Sequence, residues 1–570
     1  MPLLWAWRDA PPRRAAALAY VAGVVYYAVL VSWSWYFGAV AIGPFVLVLA
    51  AYWAGVGAAV AWLGRAGLRS PFLVAAVWVV GEAVMARFPL HGFSWGEVGY
   101  ALHDVAPARA LASWGGVALV SFIAVATHAF LVDLLVGRPP RRRHLVAGLA
   151  GLGVVALVVP ALATLTWMTP RVTSRFHVAL LQGNDKNRPL TRAELDARYL
   201  PARHFELARQ LTGRYDLVVF PESSMDDDPR KDAYLEANLQ AVARRLHTAV
   251  LANGVADAPD GRALNLDVLY DPRGDLQGTY AKRHLVPYGE EVPFRHQLQG
   301  LIHALDQIPR DFAPGKHPGL FDVRGHRIAT IICFESAFGH EVRPLVRDGA
   351  QLIVVSTNNR SYRRSANSEQ HVALSQMRAA ETGRPVLHAA VSGITAVIDA
   401  HGNVSHTTKL FQTAIVDTTV ALTTGRTPYV RMGEWVPLGS VAALVIAGGI
   451  GFARRRRRSV DSNAVTEAPQ AQTAGAVSVL ALGAVRVRAP ERRSRMSMGR
   501  SRMSDDRVER ALDVLVYAPL GLGLWLRDLA PSVLDTVVSR GRAEVDRRHE
   551  QAQQHVTTAR SMGQVALAFG

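Results

Sequence analysis

Apolar residues gather into six long runs along this chain, and between the last two lies a stretch where short apolar segments alternate with amphipathic ones. Ala15–Ser32, Val40–Leu63, Phe72–Met85, Ala110–Val136 and Leu145–Trp167 come first; Trp435–Ala453 follows the mixed stretch. A helix needs about 20 apolar residues to cross the hydrocarbon core of a bilayer. All but Phe72–Met85 meet that length comfortably, and six membrane spans are expected. Ala15–Ser32 has the apolar character of a signal peptide, but no small-residue cleavage site follows and further spans come after it.

From Phe176 to Val420 the pattern is that of alternating strands and helices. Phe176–Leu181, Leu217–Phe220, Thr248–Val255, Leu264–Tyr270, Gly278–His284, Ile328–Ile332 and Gln351–Thr357 read as strands. Thr191–Leu211, Ala233–Leu246, Phe338–Val346 and Ser365–Gly383 read as helices, and three further strands close the segment. Such alternation argues an α/β layered domain. Past the last span, Ser459–Arg502 is rich in Ala, Ser, Arg and Pro and reads as a disordered linker. Asp505–Arg527 and Pro531–Ala543 read as an amphipathic helical tail. The expected order is an N-terminal segment (1–14), a five-span membrane domain (15–168), an α/β domain (169–433), a final span (434–454), a cytoplasmic linker (455–502) and a tail without assigned function (503–570).

Charge adds an orientation. Lys and Arg number 63 against 46 acidic residues, for a net charge of +17. The arginines cluster beside the apolar runs, at 8–14, 65–69, 138–143 and 454–458. With a cytoplasmic N-terminus and alternating spans, all four clusters fall in the cytoplasm, as the positive-inside rule requires. The α/β domain then faces outward. The charge is one of membrane topology, and no nucleic-acid partner is expected. One cysteine in 570 residues allows no intrachain disulfide and no zinc-type spacing. Walker and Rossmann glycine patterns are both missing, so no cofactor and no metal is expected.

That cysteine is Cys333, in HRIATIICFESAFG, at the end of a buried strand and just before a helix. Most free cysteines are small buried hydrophobes. A strand end, however, holds a nucleophile on rigid backbone within reach of a substrate. A thiol needs a base or a nearby cation to react. VVFPESSM places Glu222 beyond an apolar strand, where a dry pocket would raise its pKa and suit it as base. TYAKRHLVPYGEEVPF places Lys282 at the end of another extended segment, where it can hold the charge that develops on an attacked carbonyl oxygen. Glu290 lies eight residues further on.

Glu222, Lys282 and Cys333 resemble the Glu–Lys–Cys triad of the carbon–nitrogen hydrolase (nitrilase) superfamily. K-R-H-L-V-P-Y-G-E-E-V-P-F and I-C-F-E are most similar to its membrane-bound branch, the apolipoprotein N-acyltransferases. The resemblance covers Phe176–Val420 and extends into the membrane segments. It implies a four-layer α-β-β-α sandwich on the extracytoplasmic side of a bacterial plasma (inner) membrane. It also implies transfer of a fatty acyl chain from a phospholipid donor, through a Cys333 thioester, to the α-amine of a diacylglyceryl-modified apolipoprotein. Glu222 is then the base, and Lys282, with the backbone N–H of Phe334, the oxyanion partner. Glu290 would orient Lys282 or the incoming amine. Glu335 would serve the site or hold its loop, and Asn358 and Tyr362 would line the pocket. In T-N-N-R-S-Y, Asn359 and Ser361 replace the family's aspartate and tryptophan, which implies altered recognition there. AAVWVVGEAVMARFPLHGFSWGEVGY resembles the family's lipid entrance, with Glu82, Arg87 and Trp95 as candidates; an ionisable group such as Glu82 in an apolar helix usually faces a cavity or a partner. The family has eight spans against the six read here, so the first helices are expected to precede this start or to be absent. Two rivals remain: a membrane-anchored amidase using water as acceptor, which six spans argue against, and an inactive scaffold, which the intact triad argues against.

Overall fold

The computed structural model describes residues 2–466, apart from positions 8, 38, 137–141, 168, 169, 189, 294 and 296–309. Most of the expected linker and the whole 503–570 tail lie outside the described residues.

Among the described residues, five helices are long and apolar enough to cross a membrane: Pro12–Leu30, Ile42–Arg65, Ala106–Leu135, Gly148–Leu165 and Trp435–Ala453. The remaining apolar run forms the helix Pro71–Met85, of 15 residues. At 1.5 Å per residue it is about 22 Å long, short of a hydrocarbon core of about 30 Å. Pro89 disfavours helical backbone in the residue before it, so the chain leaves the helix early. The last helix continues beyond Ala453 to Thr466, into the stretch read as linker. Its Arg454–Arg458 run and the residues after it contain no glycine or proline to end a helix. The helix Ala106–Val136 is broken at Gly115 and Gly116, the latter at φ +71. There the N–H of Val117 donates to Glu381 Oε1 from the α/β domain at 2.8 Å.

The α/β domain contains β1 (Arg171–Gln182), β2 (Leu217–Val219), β3 (Ala249–Asp257), β4 (Ala263–Tyr270), β5 (Leu276–Ala281), β6 (Leu320–Val323), β7 (His326–Ile332), β8 (Leu352–Thr357), β9 (Val386–Ala390), β10 (Ala396–Ile398), β11 (Val404–Ser405) and β12 (Ala414–Thr424). They form two six-stranded mixed sheets, ordered β12-β1-β2-β3-β4-β5 and β11-β10-β9-β8-β7-β6. Four strands follow β8, not three; β11 is two residues long, too short to leave a periodicity.

Strand alternation builds the layers. Val178 and Leu180 meet Ile332, Val354 and Leu387 between the sheets. Ala179 and Leu181 point the other way, onto Phe205 and Leu239 of the helices Tyr199–Gln210 and Ala233–Leu246. On the second sheet Ile331, Ile353 and Val355 pack on Val342 and Val372 of the helices Gly339–Arg347 and Asn367–Thr382. The result is the expected helix–sheet–sheet–helix sandwich. The expected Thr191–Leu211 helix is two, Arg192–Asp196 and Tyr199–Gln210, because Arg198 sits at φ +50 between them, within 3.7 Å of Asp226 and 2.5 Å of Asp232. The membrane helices and the sandwich share one core, in which Val31, Leu111 and Val117 meet Phe334, Phe338, Leu374 and Met377.

Candidate active site

Three strand ends supply the predicted triad. Glu222 lies just past β2, Lys282 directly follows β5 in the same sheet, and Cys333 directly follows β7 in the other sheet. Cys333 opens a tight turn, Cys333–Ala337, with its own backbone at φ +52. That region is unfavourable for a residue with a Cβ, and it persists only where neighbours fix it. His371 Nε2 lies 3.0 Å from the Cys333 carbonyl oxygen and 2.9 Å from Ser336 Oγ. Because a carbonyl only accepts, this nitrogen carries the proton, and the ring is neutral: burial pushes its pKa down to about 4. At the far end of the turn, the Ala337 carbonyl accepts from Ser94 Oγ (2.8 Å), Tyr100 Oη (3.0 Å) and Arg378 Nη1 (3.3 Å).

Lys282 is 1% exposed and stands between two carboxylates, 2.9 Å from Glu290 Oε1 and 3.7 Å from Glu222 Oε1. Asn265 on β4 joins them, donating to Glu222 Oε1 at 2.7 Å and Glu290 Oε1 at 2.9 Å. The other oxygen of Glu222 accepts the backbone N–H of Asn358 at 2.7 Å, and that of Glu290 accepts the N–H of Val286 at 2.9 Å. Burial opposes the charge of Lys282, but Glu290 and Glu222 outweigh it and hold the ammonium's pKa above its ordinary value. Burial raises the pKa of Glu222, with Lys282 opposing and Glu290 adding to the rise. Burial, followed by the charge of Glu222, pushes the Cys333 thiol up to about 12. Its Sγ accepts from Thr357 Oγ1 at 3.4 Å.

This electrostatic arrangement makes a kinetic prediction. A thiol nucleophile at Cys333 would lose its proton as it attacks, and Glu222 as its base would have to be ionised to receive it. The rate of that attack should therefore fall as the pH drops through a Glu222 pKa above the ordinary carboxylate range. It should show no further rise between about pH 7 and 10, where an unperturbed thiol ionises. Initial rates across that range check this; a step near the ordinary thiol pKa would mean that the thiolate forms without Glu222.

The remaining expected residues separate by role. Glu335 accepts from Tyr280 Oη (2.7 Å) and from the N–H groups of Arg283 (2.8 Å), His284 (3.1 Å) and Ile332 (2.7 Å). It therefore ties β5 and the segment after it to the Cys333 turn, contacts that suit a loop-holding role. Asn358 holds Glu222 by its backbone, while its side chain accepts from the N–H of Arg360 at 3.1 Å. Tyr362 meets Trp33 edge-on at 4.8 Å. Burial raises the pKa of its hydroxyl. Asn359, where the family has aspartate, is buried; it donates to Asn367 Oδ1 at 2.7 Å and lies 3.1 Å from His371 Nδ1. The Phe334 ring packs among Phe93, Trp95, His284 and Phe338.

Of the membrane-side candidates, Trp95 reaches the site: its ring lies 5.3 Å from His371, and its indole N–H donates to Gln370 Oε1 at 2.7 Å. The Trp33 indole donates to the same oxygen at 2.9 Å. Glu82 instead accepts from Trp78 Nε1 (2.9 Å) and the N–H of Val98 (2.8 Å), fixing the loop behind Trp95. Arg87 does not meet Glu82; it reaches Glu434, 3.6 Å away. Asn265, Thr357, His371 and Arg378 were not picked out from the sequence. The one available signal was the spacing of His371, Ser375, Arg378 and Thr382, which puts four polar groups on one face of a helix that is buried all round.

Known proteins resemble this chain in sequence. The model of the carbon-nitrogen hydrolase family matches residues 178–428, and that of the apolipoprotein N-acyltransferase N-terminal domain matches residues 1–130. The apolipoprotein N-acyltransferase of Geobacter metallireducens is 31% identical over 489 residues, covering 80% of this chain and 90% of that one. The chain belongs to the apolipoprotein N-acyltransferase family. Its counterpart from Azotobacter vinelandii is 33% identical over 488 residues, 79% of this chain and 89% of that one. Among solved structures, XC1258 from Xanthomonas campestris, a CN-hydrolase superfamily protein, covers 44% of this chain and 91% of its own at 21% identity and a TM-score of 0.34. The protein is thus an acyltransferase of the carbon–nitrogen hydrolase superfamily, built into a membrane through several helices.

Proposed function

We propose that Cys333 carries the acyl chain between a membrane phospholipid and the α-amine of an S-diacylglyceryl cysteine at a lipoprotein N-terminus. Glu222 takes the thiol proton as sulfur attacks the donor's ester carbonyl, and Lys282 stabilises the tetrahedral oxyanion together with the N–H of Phe334. The C–O bond breaks, and the lysophospholipid leaves with the proton held by Glu222. The acceptor amine then attacks the thioester and gives its proton to Glu222; the C–S bond breaks, and the thiol regains that proton. Two substrates sharing one covalent intermediate imply ping-pong kinetics. The observation that carries the reading is the meeting of Glu222, Lys282 and Cys333 beside aromatic rings from the membrane half, Phe93 and Trp95. An apolar wall suits an acyl chain and gives a small soluble amide nothing to bind. Intact-protein mass tests it: phospholipid alone should add one acyl mass to the wild type, and a diacylglyceryl-cysteine peptide should remove it. Glu222→Gln should show no added mass, and rapid acylation of that variant would mean that another group is the base.

The hydrogen bonds of Glu290 favour one of its two expected roles. Both oxygens are engaged within the site, one of them on Lys282. Glu290→Gln should slow acyl-enzyme formation about tenfold, the size of one weakened charge-assisted contact. Normal acylation with stalled transfer would instead place Glu290 with the acceptor amine.

Orientation is part of the proposal: Pro170–Glu434 faces away from the cytoplasm, and the N-terminus lies inside. Four arginine clusters on one side support it. A reporter that works only in the cytoplasm, fused after Thr173, should be silent; activity there would reverse the orientation.

A further inference from the structure

The segment after Lys282 and the loop after the helix Pro71–Met85 enclose a cavity of about 370 Å³, whose walls include Arg87, His91, Arg283, His284, Glu291 and Glu341. Its charges are unequally committed. Glu341 faces His284 Nδ1 at 2.7 Å, Glu291 faces His91 at 3.8 Å, and Arg87 lies 3.6 Å from Glu434. Among the described residues, Arg283 makes a hydrogen bond only through its backbone N–H, to Glu335, and its guanidinium has neither a hydrogen bond nor an ion pair. His284 is 6% exposed, and its buried Nε2 also has no partner. Both carboxylates in the wall are thus turned to histidines, while a guanidinium and an imidazole nitrogen are left over.

We propose that this cavity takes the phosphate of the donor glycerophospholipid, with Arg283 as its main contact and His284 beside it. The proposal rests on the reading of Cys333 as the group that a phospholipid acylates. A guanidinium presents a planar fork of N–H donors that matches two phosphate oxygens at once. With Glu341 on its Nδ1, the His284 ring is held at the cavity wall, and its Nε2 is left without a partner. Position agrees with the chemistry. Arg283 directly follows Lys282, and the His284 ring stacks on Phe338 at 3.8 Å and meets Phe334, the neighbour of the nucleophile, at 5.5 Å. In a glycerophospholipid only the glycerol carbons and ester oxygens separate the phosphate from the reacting carbonyl. With the carbonyl at Cys333, the phosphate would sit a few bonds away, past the Phe334 and His284 rings.

The test compares two acyl donors on the full-length protein in detergent micelles: dipalmitoyl phosphatidylglycerol, and p-nitrophenyl palmitate, which has the same acyl chain and no phosphate. Acyl-enzyme formation is read by intact mass. In Arg283→Gln the ratio of kcat/KM for the phospholipid to that for the nitrophenyl ester should fall about tenfold, the loss being borne by KM, as for one charge-assisted contact. Arg283→Lys should recover part of it. An unchanged ratio, whether both rates fall together or neither falls, overturns the proposal while leaving the nucleophile reading intact. Failure of both donors to acylate the wild type would overturn that reading and the proposal with it. Inorganic phosphate at about 10 mM should leave the phospholipid reaction unaltered, because a headgroup tethered to its own chain arrives at high effective concentration. Inhibition by free phosphate that Arg283→Gln abolishes would assign the cavity to a soluble phosphate and overturn the lipid source.

Discussion

Cys333→Ser is expected to lower acyl-enzyme formation from phospholipid by more than about a thousandfold, with the protein still folded and inserted. Oxygen and sulfur are close enough in size for the β7 end and its turn to accept the change. A serine hydroxyl, however, is far less acidic than a thiol. Even the thiol here is pushed up to about 12, so Glu222 as the proposed base faces a large proton-affinity gap already. Widening that gap leaves the base without useful driving force. Intact mass after phospholipid addition, beside a thermal unfolding curve, checks both halves of the expectation. Wild-type-like acylation of the serine protein would remove Cys333 from the chemistry.

Lys282→Met is expected to damage both rate and fold, and a second substitution should separate the two. The lost charge takes away the oxyanion donor, for which about 100- to 1,000-fold in rate is typical. It also leaves Glu222 and Glu290 facing each other in a buried site without their shared cation. Breaking a buried ion pair by removing one partner destabilises by about 3–5 kcal/mol. Proton uptake by the carboxylates will relieve part of this, so the loss should be greatest at high pH and shrink as the pH falls. Adding Glu290→Gln removes one of the opposed charges. Lys282→Met with Glu290→Gln should therefore recover stability relative to Lys282→Met alone while staying as slow. Chemical denaturation of the single and double variants gives the comparison. If the double variant regains activity as well, Lys282 acts through charge balance and not at the oxyanion.

What could be read from the sequence follows from how local each signal is. Strands such as β7 and β8 carry their own periodicity, and Glu222, Lys282 and Cys333 each close an extended segment; taken singly each is ordinary, and only the three together resemble a catalytic set. The helix Pro71–Met85 is legible as an apolar run, and its 15 residues set it apart from the five longer helices. The break at Gly116 depends on Tyr429 and Glu381, which lie more than 260 positions away and leave no local mark. Asn265 and His371 sit inside a strand and a helix as ordinary polar residues. Only the assembled sheets reveal that one bridges two carboxylates and the other holds the nucleophile's carbonyl. Glu335 is ambiguous in sequence for the same reason: its partners include N–H groups from the segment after β5, more than fifty positions earlier.

The three donors on the Ala337 carbonyl bear on how the Cys333 turn is held. Ser94 and Tyr100 come from the loop between two membrane helices, and only Arg378 belongs to the sandwich. A polypeptide limited to residues 170–434 would keep Glu222, Lys282 and Cys333 in order yet lose two of those three anchors and the Trp95 ring beside His371. Its nucleophile would stand on a turn with a left-handed first residue and a loosened far end. The polar contacts that join the two halves are thus also the ones that fasten the far end of the Cys333 turn.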